Sequence, residues 1–157
     1  MRFRPCIDIH NGKVKQIVGG SLRDEGDSAS TNFSSEKGAA FYAEMYRKDH
    51  LCGGHIILLE ADEVAKLLDF VESCGSTMTP HQRKYYEKTK EQALDALKAY
   101  PGGLQIGGGI TAENALEYLA AGASHVIVTS YVFSEGTFQR ENLEKLVHTV
   151  GKKRLVL

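Results

Sequence analysis

Short, almost entirely apolar runs alternate with longer helical stretches along this chain, and this alternation constrains the fold more than any other feature. Such runs are typical of strands covered on both faces of a sheet. Between them, apolar residues recur at helical spacing. Strands separated by helices indicate an α/β fold with a parallel sheet. The runs lie at 4–9, 55–59, 104–107 and 125–129, with another beginning at Arg154, and the predicted helices include 36–48, 112–121 (capped by Thr111) and 138–150.

The number of βα units limits the architectures open to the chain. Four complete units and the opening of a fifth strand fit into 157 residues, whereas a complete (β/α)8 TIM barrel typically needs about 250 residues. We therefore expect the N-terminal half of such a barrel, with about four βα units plus the start of strand 5. A doubly wound, flavodoxin-like sheet has a similar number of elements, and periodicity alone does not separate the two.

Residues 60–100 do not fit one simple βα unit. A first helical pattern is interrupted by Ser73-Cys-Gly-Ser, and a second helix begins at Thr79-Pro80 with an N-cap residue and the proline that first helical positions favour. Most of this second helix is charged or polar up to residue 92, so we expect it to lie in solvent. We predict a helical insertion at 60–92 within one partial barrel domain, 1–157, and a long surface loop at 19–34.

The composition excludes several classes of function. The net charge is -1, with Lys and Arg scattered among Asp and Glu, so there is no basic stripe for nucleic acid. No stretch reaches the roughly 18 uninterrupted apolar residues of a membrane helix. The N-terminus has no signal or transit pattern, so we expect a cytoplasmic protein, or a plastid protein if a transit peptide has been removed.

Cys6, Cys52 and Cys74 form no CxxC pair and are expected to be reduced thiols.

Three glycines at the end of one predicted strand and two hydroxyl residues at the end of the next indicate a phosphate site. Gly107, Gly108 and Gly109 follow one strand and precede a helix, so the backbone can approach a phosphate closely at the helix start. Thr129 and Ser130 close the next strand, on the side where barrels of this type bind ligands. A tight turn without a ligand, and hydroxyls that only satisfy local backbone groups, remain the simpler interpretations of each feature alone.

Asp8 lies among apolar residues at the end of the first predicted strand. A carboxylate there is costly to bury unless it is paired or used, and it suits proton abstraction next to a carbonyl or imine carbon. We favour catalysis over a structural role at the Asn11-Gly12 turn. His10, His55 and His125 do not cluster with Cys or carboxylates at ligand spacing, so no metal site is expected.

Five motifs are distributed along nearly the whole length of the chain outside the predicted insertion. They are Pro5-Cys-Ile-Asp-Ile-His-Asn-Gly-Lys-Val-Lys-Gln-Ile-Val-Gly-Gly, Thr31-Asn-Phe, Gly53-Gly-His-Ile-Ile, Tyr100-Pro-Gly-Gly-Leu-Gln-Ile-Gly-Gly-Gly-Ile and Ala123-Ser-His-Val-Ile-Val-Thr-Ser. Together and in this order they resemble the eukaryotic-type ProFAR isomerases (phosphoribosylformimino-5-aminoimidazole carboxamide ribotide isomerases) of histidine biosynthesis.

This resemblance implies a (β/α)8 barrel and an Amadori rearrangement, in which a bis-phosphorylated aminoaldose becomes the aminoketose. Asp8 matches the family's general base, which takes the proton from C2 of the opened ribose. The glycines at 107–109, with Thr129 and Ser130, match one phosphate site. The resemblance also implies no cofactor and no metal, a small phosphorylated molecule as substrate, and a monomeric full-length enzyme.

The family's general acid is an aspartate that follows the fifth strand, whereas this sequence ends at Leu157. We therefore expect an incomplete fragment, whose open sheet edges favour self-association. Two alternatives remain. One is the cyclase subunit of imidazole glycerol phosphate synthase, which shares the first-strand aspartate and the glycine-rich loops. The other is a non-catalytic half-barrel that binds phosphosugars.

Overall fold

The computed structural model of the chain describes residues 3–17, 31–59, 80–134 and 136–157. These ranges contain nine β-strands, four α-helices and one short 3-10 helix. In chain order they are β1 Cys6–His10, β2 Lys13–Ile17, β3 Thr31–Ser34, α1 Ala39–Lys48, β4 Gly54–Leu58, α2 Pro80–Ala99, β5 Leu104–Gly107, α3 Ala115–Ala121, β6 Val126–Ile127, β7 Phe133–Ser134, β8 Thr137–Phe138, α4 Arg140–Val150, the 3-10 helix Lys152–Arg154 and β9 Leu155–Val156.

A seven-stranded sheet in the order β3-β2-β1-β4-β5-β6-β9 forms the centre of the fold. Its five strands β1, β4, β5, β6 and β9 pair in parallel, whereas β2 and β3 pair antiparallel at one edge. The short strands β7 and β8 form a separate antiparallel hairpin. The predicted α/β fold with a parallel sheet is therefore confirmed.

Buried and half-buried residues alternate along the strands, and the buried residues mark the face of the sheet that packs on the helices. In β4, Ile56 and Leu58 are buried, whereas His55 and Ile57 are half-buried, because successive side chains point to opposite faces. Burying one such Ile or Leu side chain contributes roughly 1.5–3 kcal/mol. The buried strand residues form one cluster with helix residues that include Ala43, Leu97, Tyr118, Leu119 and Leu146.

Helices α1 and α2 pack closely because small residues meet at their contact. Ala39 and Ala43 of α1 and Ala93 and Ala96 of α2 are all fully buried. The backbone N–H of Ala39 also donates a hydrogen bond to Gln92 Oε1 at 2.8 Å. This contact satisfies one of the free amides at the start of α1.

The polar part of α2 takes part in this packing, so the expectation that residues up to 92 lie in solvent is wrong at its C-terminal end. Thr89 is 6% exposed, and its Oγ1 accepts a hydrogen bond from the Gly12 amide at 2.8 Å. The helix continues without a break from Pro80 to Ala99. An insertion at 60–92 stays a prediction, because residues 60–79 lie outside the described ranges.

Several predicted boundaries need correction. Strand β3 occupies Thr31–Ser34, within the predicted loop 19–34, because it pairs with β2. Helix α4 begins at Arg140 rather than 138, because Phe138 pairs with Phe133 in the β7–β8 hairpin. The predicted turn after β1 is confirmed: Asn11 and Gly12 both have positive φ, 52° and 73°, as two-residue hairpins of this kind require.

Candidate functional site

The carboxyl ends of the parallel strands bring the predicted site residues to one edge of the sheet. In register, Asp8 lies beside Ile57, Ile57 beside Gly107, and Gly107 beside Ile127. Because neighbouring strands lie roughly 4.8 Å apart, the backbones of Asp8 and Gly107 are separated by about 10 Å. Thr129 follows Ile127 by two residues at the same edge. The spacing between the aspartate and the glycine turn suits a small ligand lying across β4.

Asp8 is half-buried on the sheet face opposite the helices, whereas its neighbours Ile7 and Ile9 are buried on the helix side. Its Oδ1 accepts a hydrogen bond from the Cys6 thiol, with an Sγ–Oδ1 distance of 2.8 Å. The two side chains meet because residues two apart on a strand share a face. Asp8 is thus a partnered carboxylate at the edge where a ligand would bind.

The Cys6 thiol stays protonated around neutral pH. The Cys6 residue as a whole is exposed, but lost hydration around its sulfur is the largest cause of its raised pKa, and the hydrogen bond to Asp8 and the Asp8 charge raise that pKa further. The Tyr46 hydroxyl donates to the Cys6 carbonyl at 3.4 Å. Burial, followed by the charges of Cys6 and Tyr42, raises the pKa of Tyr46. Sequence reasoning assigned Cys6 no part in the site, although its position two residues before Asp8 was a usable signal.

His10 and Lys15 form a second polar pair beyond Asp8, where β1 turns into β2. His10 is 1% exposed, and its Nδ1 lies 3.1 Å from Lys15 Nζ. Because a lysine ammonium only donates, His10 Nδ1 is the acceptor and its proton is on Nε2. Lys15 therefore places a positive charge on β2, the strand that pairs with β1 and its Asp8. The sequence did not reveal this feature.

The glycine turn after β5 is held tightly against the end of β4. Gly108 and Gly109 have positive φ values of 93° and 61°. A Cβ on Gly108 would overlap the carbonyl oxygen of Leu58. The sequence thus needs glycine here for packing as well as for any approach of a ligand.

Asn114 follows the same turn in the chain, and its side chain forms hydrogen bonds with the backbone of that turn. Its Oδ1 accepts the Thr111 amide and its Nδ2 donates to the Gly109 carbonyl, both at 2.9 Å. Helix α3 begins at Ala115, so the prediction of a helix from 112 with Thr111 as its N-cap is wrong. Asn114 captures the Thr111 amide, and the residues between them form a turn instead.

Thr129 and Ser130 lie two and three residues beyond Ile127, the last residue of β6, because that strand is shorter than the predicted 125–129. Thr129 is exposed and Ser130 is half-buried. The Thr129 carbonyl accepts the amides of Val132 and Phe133 at 3.0 and 2.8 Å, so the chain turns sharply here. Both hydroxyl residues thus lie on a defined turn, one strand along from the glycine turn.

Other features of the described residues do not add to this site. No three His, Cys, Asp or Glu side chains among them come together closely enough to hold a metal ion. A groove of about 760 Å³ on α4, lined in part by Leu143 and Val147, contains none of the predicted site residues. Within the described ranges no helix is both long and apolar enough to cross a membrane.

The fold and the site define an α/β protein with a carboxylate, a glycine turn and hydroxyl groups along the carboxyl edge of a parallel sheet. No family model matches the chain. The chain is 50% identical over 161 residues to the 1-(5-phosphoribosyl)-5-((5-phosphoribosylamino)methylideneamino) imidazole-4-carboxamide isomerase of Medicago truncatula, which is named chloroplastic. That alignment covers 100% of this chain and 44% of the relative.

Fungal isomerases of the same name match equally far along the chain. The Neurospora crassa isomerase is 41% identical over 99% of this chain and 51% of its own length. The Saccharomyces cerevisiae isomerase is 38% identical over 99% of this chain and 50% of its own length. The chain therefore spans about half the length of the curated relatives it matches. Over its whole length the chain is thus similar to about half of each ProFAR isomerase, the resemblance that its motifs predicted.

Proposed function

We propose that this chain forms one half of a (β/α)8 isomerase barrel and carries the general base and one phosphate site of the Amadori rearrangement in histidine biosynthesis. The observation that carries the proposal is the match of 99–100% of the chain, at 38–50% identity, to the plant and fungal isomerases. The substrate is the bis-phosphorylated aminoaldose, and the product is the aminoketose.

The strand order supports a half-barrel rather than a doubly wound sheet. The parallel strands β1, β4, β5, β6 and β9 are neighbours in the order in which they occur in the chain. A doubly wound sheet instead reverses its strand order at a switch point. The buried strand residues also form a single cluster with all four helices, which fits helices on the outside of a barrel. The opposite face, with Asp8 and Ile57, is then the barrel interior.

The chemistry needs only proton transfer and binding. Asp8 takes the proton from C2 of the opened ribose, and the resulting enolamine tautomerises to the aminoketose. Gly107, Gly108 and Gly109, with Thr129 and Ser130, hold one terminal phosphate through backbone amides and hydroxyls. The resemblance implies that the acid that opens the ribose ring, and the second phosphate site, come from the half of the relatives that this chain does not match.

Turnover measurements test this proposal. We expect the 157-residue chain alone to leave the aminoaldose unconverted, because the acid and one phosphate site come from the other half. The same chain joined to the unmatched half of the Saccharomyces cerevisiae isomerase should convert it. Conversion by the isolated chain at a rate near that of the yeast enzyme would refute the half-barrel.

The same joined protein separates the alternatives. Turnover of the aminoketose with ammonia, instead of the aminoaldose, would identify a cyclase subunit. Binding of the aminoaldose without any turnover would indicate a phosphosugar-binding half-barrel.

The isolated chain is expected to self-associate. Strand β9 pairs with β6 on one side and is the last strand in the sheet order of the described residues. An open strand edge pairs readily with another chain, and the half-buried Ile127, which pairs with Val156 of β9, adds apolar surface beside it. Light scattering of the purified chain should give dimers or larger species. A single monomeric species across the concentration range would contradict this expectation.

The compartment is part of the same proposal. We propose the cytoplasm, with a plastid as the alternative because the Medicago truncatula relative is named chloroplastic. Immunofluorescence of the native protein in its source cells distinguishes the two compartments.

A further inference from the structure

We infer that Cys6 is a positioning residue for the base: its thiol holds Oδ1 of Asp8 and leaves Oδ2 to take the C2 proton. The inference rests on the proposed function, in which Asp8 is the base, and goes beyond it by assigning a role to the residue that orients the carboxylate.

The geometry of the pair favours this role. The Sγ–Oδ1 distance is 2.8 Å, which is a close hydrogen bond for sulfur. A carboxylate rotates easily about its terminal χ angle, because that torsion has a broad energy well. A donor on one oxygen restricts this rotation and fixes the direction in which the other oxygen presents its lone pairs. Proton abstraction depends steeply on such alignment.

The backbone of Cys6 is itself held in place. Cys6 pairs with His55 in the β1–β4 ladder, and the adjacent Pro5 carbonyl accepts the His55 amide at 2.9 Å. The Tyr46 hydroxyl from α1 donates to the Cys6 carbonyl. A donor built on a central strand orients its acceptor more firmly than one on a loop.

The thiol is also a permanent donor under working conditions. A thiol donates a hydrogen bond only while it is protonated. Reduced hydration and the neighbouring carboxylate of Asp8 raise the pKa of Cys6. The thiol is therefore the donor of the pair around neutral pH.

Steady-state kinetics of the joined protein test the role. Cys6→Ala removes the donor, and we expect kcat to fall about tenfold to a hundredfold, as misalignment of a reacting group typically costs, with KM changed less than about twofold. Cys6→Ser keeps a donor and should recover most of kcat. Cys52→Ala is the matched control, since Cys52 is also an exposed free cysteine but lies outside the site. A kcat for Cys6→Ala within about twofold of the unmodified protein would overturn the positioning role.

A second measurement tests the pair without any turnover. Peptide-resolved alkylation of the 157-residue chain at about pH 8 reports each thiol separately. Asp8→Ala removes both the acceptor and its charge, so Cys6 should react faster. We expect about threefold to fourfold for each unit by which its pKa falls, because the larger thiolate fraction is partly offset by a less nucleophilic thiolate. Cys52 should react at an unchanged rate. An unchanged Cys6 rate would show that the pair does not form and would overturn the inference.

The two measurements separate the inference from the proposed function. If the joined protein fails to turn over the aminoaldose before any substitution, the proposed function fails and the positioning role fails with it. A faster Cys6 reaction in Asp8→Ala would still establish the pair. If turnover is present and Cys6→Ala leaves it intact, the proposed function stands and the inference alone is wrong.

Discussion

Tyr118 on α3 illustrates how burial controls an ionisable group in this fold. It is 1% exposed, and burial, followed by the charges of Tyr86 and Glu117, raises its pKa above the ordinary value of 10.0. In the unfolded chain the phenol ionises near that ordinary value. Above about pH 10 the unfolded state therefore loses a proton that the folded state keeps, and stability falls as pH rises toward the folded pKa. Below that pH the group carries no such penalty.

Tyr118→Phe should remove this alkaline loss. We expect the free energy of unfolding of the unsubstituted chain to fall more steeply between about pH 10 and pH 11, by up to about 1.4 kcal/mol per pH unit, than that of the variant. Urea unfolding at several pH values measures both slopes. The other tyrosines contribute equally to both proteins, so equal slopes would mean that Tyr118 is not buried as described.

Individual site residues were predictable where strand periodicity fixed their surroundings. Asp8 was recognisable as a candidate because its neighbours are apolar and a strand alternates its faces. The spacing of Cys6 and Asp8 places both side chains on one face of the strand, but the hydrogen bond between them also depends on side-chain rotamers, which the spacing does not fix. The pairing of His10 with Lys15 depends on a hairpin register that the turn sequence implies only in outline.

At the scale of elements, the turn between β5 and α3 could be predicted from the sequence, whereas the Asn114 hydrogen bonds that hold it could not. The three glycines predicted a close approach of the backbone to a phosphate, which stays a prediction. The close packing of Gly108 against Leu58 was not predicted. The N-cap pattern at Thr111 was misleading, because Asn114 binds the Thr111 amide from a turn. A side chain that competes with the helix for backbone groups leaves no clear signature in apolar periodicity.

Alanine substitutions at two glycines separate crowding from backbone strain in this region. Gly108 and Gly102 both have positive φ, 93° and 74°, so Ala at either position costs roughly 1–2 kcal/mol. A Cβ on Gly108 would also overlap Leu58, whereas one on Gly102 has open space. We expect Gly108→Ala to destabilise the chain by about 2 kcal/mol more than Gly102→Ala.

Urea unfolding of both variants measures this difference. Equal losses of stability would show that the turn after β5 can move away from β4, and the account of Gly108 as a tightly packed position would fail.

At the scale of the whole molecule, the sequence predicted the parallel α/β sheet because its central strands are continuous apolar runs. The short strands β3, β7 and β8 were missed, since they contain few apolar residues and are defined by their pairing partners. The polar part of α2 was misjudged for a related reason. Thr89 and Gln92 are polar, but they make tertiary hydrogen bonds to Gly12 and Ala39, and a polar residue in sequence does not show whether a partner will reach it.

The most direct test of the central claim is the turnover of the aminoaldose by the joined protein with Asp8→Asn. Asparagine keeps the shape of the side chain and can still accept the Cys6 hydrogen bond, but it cannot take the C2 proton. We expect kcat to fall by about a hundredfold to ten-thousandfold, the usual contribution of a general base, while KM changes little. A kcat within about threefold of the unsubstituted protein would contradict the claim that this chain supplies the base.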